Sequence, residues 1–151
     1  MFRHLAFAAI ILMTTHLGLA QTKPISFEQL RSFQVSSTKP VAVLIITDWC
    51  KYCHAMQNTM IKNSKISQLL NSKFHTIFLN AEQTSDIFFA GRTFKFRQGL
   101  NELARELSSV NGKVSYPTLT IMNAKNEIIF QHGGFLSPQA MLYSLKRLAE
   151  N

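Results

Sequence analysis

The chain has 151 residues, of which 46% are hydrophobic and 16% are charged. This composition excludes a disordered chain and a collagen-like repeat, and the length fits one domain rather than two. The formal net charge is +8, but the lysines and arginines are scattered along the chain, which argues against a nucleic-acid interface. The two cysteines, Cys50 and Cys53, are too close together in sequence to hold a fold together as the disulfides of small disulfide-rich proteins do.

Residues 1–20 have the pattern of a secretory signal peptide. Arg3 gives a positively charged start, residues 5–13 are almost wholly apolar, and Gly18 and Ala20 are small residues at the positions that a signal peptidase reads. The apolar run is shorter than the roughly 20 residues of a membrane span. We therefore expect export, cleavage after Ala20, membrane contact only through this peptide, and one domain at 21–151. An uncleaved N-terminal anchor is the alternative.

Helices and strands alternate along the rest of the chain. Ser26 and Gln29 form a capping box that predicts a helix start, and the β-branched run at 41–46 predicts a strand buried on both faces. From Cys50 the apolar spacing becomes helical. Further helices are expected around 66–70, 100–110 and 138–148, and further strands at 74–79, 118–122 and 127–130. This order predicts an α/β fold with a mixed central sheet and helices on both of its faces.

Residues 87–96 are predicted to form an inserted β-hairpin that turns at Ala90 and Gly91. Phe94 and Phe96 would then share one face of this hairpin. We expect its aromatic side chains to cover a sheet edge or the core. A docking surface that helps to choose a partner protein is the alternative.

The segment Trp49–Cys53 carries the strongest chemical signal, because it lies where a buried strand leads into a helix. The free N–H groups at a helix start favour negative charge, so the pKa of the Cys50 thiol should be lowered. Lys51 should favour the thiolate, and Asp48 should oppose it. Since the thiolate is the nucleophile of disulfide exchange and Cys53 can close the ring, the pattern predicts dithiol–disulfide chemistry that needs no cofactor.

This segment resembles the active site of the thioredoxin superfamily. The resemblance is carried by a predicted buried strand at 41–46 that is followed by Trp-Cys-x-x-Cys at a helix start. The resemblance continues at Tyr116-Pro117 before a strand and at Gly133-Gly134 before the last helix, and it covers residues 27–148. It implies a thioredoxin fold and a thiol-disulfide oxidoreductase.

The resemblance also implies a role for each site residue. Cys50 would be the nucleophile and Cys53 the resolving thiol. A cis-proline at Pro117 would face the pair, Tyr116 and Pro117 would bind an extended substrate through the backbone, and Trp49 would shield the cysteines.

The sequence departs from ordinary thioredoxin at several points. Leu44 occupies the position of a buried acid, which leaves Asp48 and Glu82 as candidate proton acceptors for the second thiol. Residues 81–99 are extra relative to a minimal thioredoxin. An exported chain with this Trp-Cys-x-x-Cys signature and an inserted hairpin resembles the thioredoxin-like proteins of bacterial envelopes. We expect envelope-protein substrates, a periplasmic location if the source has an outer membrane, and a reductant that a membrane electron donor re-reduces.

Two other sites would use the same residues. The run from Cys50 to His54 matches the Cys-x-x-Cys-His attachment motif of c-type haem, although the preceding strand is not typical of a helical cytochrome. The two thiolates could instead hold copper(I) or zinc with His54, His132 or a methionine. Met56 and Met60 have a simpler explanation as core residues.

Overall fold

The structure, a computed structural model, describes residues 21–150, so the predicted signal peptide lies outside the described residues. Within this range no helix is both long and apolar enough to cross a membrane. The described chain contains five helices, which are α1 (Phe27–Gln34), α2 (Lys51–Lys62), α3 (Ser64–Lys73), α4 (Glu102–Ser108) and α5 (Pro138–Ala149).

Four strands of the described chain form a mixed central sheet. In chain order the strands are β1 (Val41–Ile46), β2 (His75–Asn80), β3 (Ile87–Phe89), β4 (Arg92–Phe94), β5 (Phe96–Arg97), β6 (Leu100–Asn101), β7 (Ser109–Val110), β8 (Lys113–Val114), β9 (Thr118–Met122) and β10 (Ile128–Gly133). The sheet order is β10-β9-β1-β2, in which β2 runs parallel to β1 and the other two pairs are antiparallel. The predicted mixed sheet is therefore confirmed.

Strand β1 is buried along its whole length, and its side chains pack into two separate hydrophobic cores. Val43 and Ile45 belong to a core with α1, the β3–β4 hairpin and α4. Leu44 and Ile46 belong to the opposite core with α2, α3 and α5. This alternation follows from the period of two in a strand, and it explains why the run at 41–46 contains no polar residue.

The predicted helix starts are confirmed at both ends of the chain. The Ser26 hydroxyl accepts a hydrogen bond from the backbone N–H of Gln29, whose side chain bonds back to the cap. The Ser137 hydroxyl caps α5 in the same way, with Pro138 at the first helical position. These caps satisfy N–H groups that have no partner within the helix.

The inserted hairpin turns at Ala90 and Gly91 as predicted, and both residues have positive φ. The expectation that Phe94 and Phe96 share a face is wrong. Strand β4 ends at Phe94, which is buried, because the Lys95 backbone bonds to the Glu102 side chain and backbone instead of continuing the ladder. Phe96 begins β5 and is exposed.

The aromatic side chains of the insertion divide between core and surface. Phe89 is buried and packs edge-on against Phe27 of α1, with ring centroids 5.1 Å apart. Phe88 remains half exposed, beneath the guanidinium of Arg31. The hairpin therefore covers one core, as expected, and leaves the Phe88 side chain partly exposed to solvent.

Helix α4 is shorter than the apolar pattern at 100–110 predicted. The side chain of Asn101 accepts a hydrogen bond from the Leu103 N–H, so the helix begins at Glu102 and Leu100 lies in β6. After the helix, Asn111 and Gly112 form the turn between β7 and β8. The Asn-Gly pair is thus a hairpin turn rather than a simple helix end.

Candidate active site

The cysteine pair lies where β1 leads into α2. The backbone N–H of Cys50 donates to the Thr47 carbonyl at 3.3 Å, and Cys50 is the N-cap of α2. Its Sγ accepts a hydrogen bond from the Cys53 N–H at 3.1 Å. Cys50 keeps 8% of its surface exposed whereas Cys53 keeps none, so Cys50 is the cysteine that an incoming group can reach more easily.

The two cysteines are joined to each other by a disulfide, with their Cα atoms 5.2 Å apart. The structure therefore shows the oxidised member of the predicted dithiol–disulfide couple. The short helical spacing brings the sulfurs together, since residues three apart lie on one face of a helix turn.

The inner side of the disulfide is apolar. Both cysteines belong to the core that contains Leu44, Met56 and Leu119, all of them fully buried. Leu44 thus places a hydrocarbon side chain in the core that contains the cysteines, at the position where ordinary thioredoxin has a buried acid. A thiolate at Cys53 would gain no stabilisation from such surroundings, because burial without a partner disfavours charge.

The two carboxylates suggested as proton acceptors are engaged by other groups. Asp48 Oδ1 accepts a hydrogen bond from the Asn80 amide at 3.0 Å. Glu82 Oε1 accepts one from the Trp49 indole N–H at 3.1 Å. Transfer of a proton from Cys53 to either carboxylate stays a hypothesis.

The peptide bond between Tyr116 and Pro117 is cis, as the resemblance implied. Tyr116 packs against the cysteine-containing core and also against the opposite core. Burial raises the pKa of the Tyr116 phenol, more than the nearby Ser108 hydroxyl lowers it. The Pro117 carbonyl accepts a hydrogen bond from the Gly134 N–H at 2.7 Å, which ties this turn to the loop before α5.

The backbone of Tyr116 offers groups for an extended ligand. Within residues 21–150, neither its N–H nor its C=O bonds to another backbone group. Strand β9 begins only at Thr118, so Tyr116 is outside the ladder of the sheet. A substrate segment lying alongside could therefore pair with it in the manner of an added strand.

Exposed aromatic side chains lie next to each cysteine in the sequence and make ring contacts with residues of other loops. Trp49 is 68% exposed and packs edge-on against Tyr116, with ring centroids 6.3 Å apart. Tyr52, between the cysteines, is 67% exposed and lies 5.7 Å from the ring of Phe135. That Trp49 shields the pair stays a prediction.

The sequence analysis did not identify Phe135 as a neighbour of Tyr52 at this site. Phe135 follows Gly134, whose N–H bonds to the Pro117 carbonyl, so its place beside Tyr52 depends on the fold and no local sequence signal could have found it.

Two of the residues suggested as metal or haem ligands, His54 and Met56, have other contacts, and a third, Met60, lies in the core. The His54 ring is hydrogen-bonded to the Asp48 carbonyl at 2.8 Å, and Met56 Sδ accepts from the Leu136 N–H at 3.3 Å. Met60 is fully buried in the core. In the part of the chain that the structure describes, no three His, Cys, Asp or Glu side chains group closely enough to hold a metal ion.

Comparison with known proteins places the chain within one family. The sequence model described as a thioredoxin-like domain matches residues 27–149. No curated protein sequence matches significantly.

Several solved structures share the fold at low sequence identity. A DsbH oxidoreductase has a TM-score of 0.61 and 17% identity, over 95% of this chain and 95% of that chain. A thioredoxin-fold protein from Helicobacter pylori has a TM-score of 0.60 and 14% identity, over 76% and 71%. A disulphide isomerase from Xylella fastidiosa Temecula1 has a TM-score of 0.53 and 13% identity, over 82% and 90%.

The family match spans nearly all of the described chain, and the Cys-x-x-Cys pair that the sequence predicted to be redox-active is in its disulfide form. The chain therefore belongs to the thioredoxin-like family and is a thiol-disulfide oxidoreductase.

Proposed function

We propose that the protein is an exported reductant of disulfides in other envelope proteins. The observation that carries the direction is that, beyond the N-terminus of α2, few partners would stabilise a Cys50 thiolate. Within residues 21–150, one N–H donates to Cys50 Sγ, that of Cys53, and the His54 ring is turned to the Asp48 carbonyl. A pair becomes a strong oxidant when its reduced form is stabilised, so sparse stabilisation supports a reducing pair.

The asymmetric exposure of the two cysteine residues supports the order of the chemical steps. In the reduced protein, the Cys50 thiolate attacks one sulfur of the substrate disulfide and forms a mixed disulfide. The S–S bond of the substrate breaks, and its other sulfur, which Cys50 did not attack, leaves as a thiolate and takes up a proton. Cys53 then loses its proton and attacks Cys50 Sγ, which releases the second substrate thiolate and leaves the Cys50–Cys53 disulfide. Two electrons pass from the protein to the substrate.

The residues near the disulfide, Trp49, Tyr116 and Pro117, support the proposal that the substrate is a polypeptide. Backbone pairing with Tyr116 would align an extended segment past Cys50, and Trp49 and Pro117 would border that segment. Pairing through the backbone is independent of sequence, so it suits an enzyme that acts on several proteins.

Export is supported by the pattern of residues 1–20, with a periplasmic location if the source has an outer membrane. An oxidising compartment would supply substrate disulfides and would also require that the protein be re-reduced. Each turnover consumes two electrons, and a membrane donor is the class of partner that could deliver them across the envelope.

Trapping of a mixed disulfide tests the proposal. A Cys53→Ser variant, mixed in reduced form with a disulfide-bonded peptide, should form a covalent adduct through Cys50 that dithiothreitol releases. The matched Cys50→Ser variant should form no such adduct. Equal adduct yields from the two variants, or none from Cys53→Ser, would contradict the mechanism.

A further inference from the structure

A cleft of about 490 Å³ lies between the β5–β6 hairpin and the start of α4. Its lining consists of two arginines, one amide and one carboxylate, namely Arg97, Gln98, Glu102 and Arg105. Gln98 lies in the turn of that hairpin with a φ of 53°, a left-handed conformation that residues other than glycine seldom adopt. The hairpin and α4 therefore present two guanidinium groups and one amide to the same space.

Arg105 is the cation of this cleft that has no carboxylate partner among the described residues 21–150. Its guanidinium donates instead to the backbone carbonyl of Arg97 at 3.3 Å, and the residue is half-buried. Glu102 is already engaged, because its Oε1 lies 2.9 Å from Arg97 Nε and its Oε2 accepts from the Lys95 N–H at 2.9 Å. A guanidinium that is partly removed from water with only a carbonyl as partner keeps donors available for an anion.

Helix α4 connects this cleft to the proposed substrate groove. The Ser115 N–H, next to Tyr116, donates to the Ser108 carbonyl at 3.1 Å, and Ser108 lies about one helical turn after Arg105. Burial raises the pKa of the Tyr116 phenol, and the Ser108 hydroxyl and the Arg105 charge oppose that rise, so Arg105 is within electrostatic reach of Tyr116. The cleft is therefore a neighbour of the groove and not an isolated surface feature.

We propose that the cleft of Arg97, Gln98 and Arg105 is a carboxylate subsite, which binds an acidic side chain of the protein substrate. The Arg105 guanidinium donates charge-assisted hydrogen bonds to that carboxylate, and the Gln98 amide and the remaining N–H groups of Arg97 complete its partners. The subsite rests on the proposed function for the identity of its ligand. It adds a preference for acidic sequence that pairing through the backbone does not give, and it assigns a task to the 81–99 insertion, which supplies Arg97 and Gln98.

An NMR titration tests the subsite without any disulfide exchange. The probes are short peptides that carry one glutamate at varied positions and serine in place of cysteine, added to the oxidised protein. The side-chain Nε–H signals of Arg97 and Arg105 should shift with at least one of these peptides and stay in place with its glutamine counterpart. The Nε–H signal of Arg31, which lies over Phe88 on α1, is the control and should not move.

Citrate is the second arm of the titration, because a free carboxylate has the same chemistry as a glutamate side chain. Signals of Arg97 and Arg105 that shift with citrate but with none of the glutamate peptides would mark a site for a small anion and would overturn the substrate role. No shift with either probe would overturn the subsite itself.

Disulfide exchange tests the effect on specificity. For disulfide-bonded peptides that differ only in the glutamate, wild type should reduce the glutamate form with a kcat/KM about fivefold higher than the glutamine form. Arg105→Gln should abolish this preference. Arg97→Gln should weaken it, and since the Arg97 side chain is 67% exposed, a loss of folding is not expected there. Lys65→Gln removes the same charge from an exposed position of α3 and should keep the full preference.

Two results of the exchange experiment would overturn the subsite. One is a preference that persists in Arg105→Gln, and the other is an equal loss in Lys65→Gln, because either would show attraction to the net positive charge of the whole protein. If wild type reduces neither peptide, the proposed function fails, while the NMR titration still decides whether the cleft binds a carboxylate.

Discussion

Reduction of the disulfide should destabilise the fold, and the size of the loss can be worked out from the structure. Cys50 and Cys53 are separated by three positions in sequence, so the disulfide closes a very short loop. Loop-closure entropy then gives the oxidised form an advantage of about 1.9 kcal/mol over the reduced form. A thiolate held by strong partners would offset this advantage, but Cys50 Sγ accepts from one backbone N–H among the described residues.

The assay is urea unfolding of the oxidised and the dithiothreitol-reduced protein at pH 7, followed by far-UV circular dichroism. We expect the oxidised protein to be more stable by about 2 kcal/mol, which corresponds to roughly 40 mV in the potential of the pair. The Cys50→Ser/Cys53→Ser variant, which has neither a disulfide nor a thiolate, should unfold close to the reduced protein. A reduced form more stable than the oxidised one would refute the reasoning, because it would mark the pair as an oxidant.

Three further predictions concern stability. Leu44→Ala should cost about 2–5 kcal/mol of unfolding free energy in urea, because Leu44 is fully buried in the core that contains the cysteines; a loss below about 1 kcal/mol would contradict this packing. Burial, reinforced by Lys39, lowers the pKa of His75, so stability should hold above pH 6.5 and fall as the pH drops below it. His75→Gln should lose less stability than wild type between pH 7.5 and 5, and parallel curves would count against this. Gly133→Ala would place a Cβ 3.1 Å from Val110 Cγ2 and should destabilise the fold by about 1–3 kcal/mol; an unchanged urea midpoint would show that Val110 moves freely.

Much of the fold follows from local patterns in the sequence. The apolar run at 41–46 predicted a strand buried on both faces because no position could face water. The helical spacing from Cys50 predicted that Cys53, Met56 and Met60 share a buried face, and all three are buried. These predictions succeeded because each depends on a single period of hydrophobicity.

The errors arose where two nearby signals competed. Leu100 continues the apolar spacing of α4, but the Asn101 cap starts the helix after it, and a cap overrides periodicity at a helix end. Phe94 and Phe96 alternate as in one strand, yet two hydrogen bonds between Lys95 and Glu102 end that strand between them.

Part of the site could not be read from the sequence for a different reason. Cys50 and Cys53 were recognisable by spacing alone. The partners of the site come from distant loops, as with Trp49 and Glu82, which are 33 positions apart. Phe135, next to Tyr52, is likewise placed by the fold of the sheet, and no local pattern encodes such a contact.

The most direct test of the account is a redox titration of the protein without residues 1–20. Dithiothreitol or glutathione buffers would set the potential, and Trp49 fluorescence would report the state of the pair. We predict one reversible two-electron transition with a midpoint near the value of about −270 mV for thioredoxin, lost in the Cys50→Ser/Cys53→Ser variant. A midpoint near about −120 mV would contradict the reducing direction. The absence of any reversible transition would contradict the redox function itself.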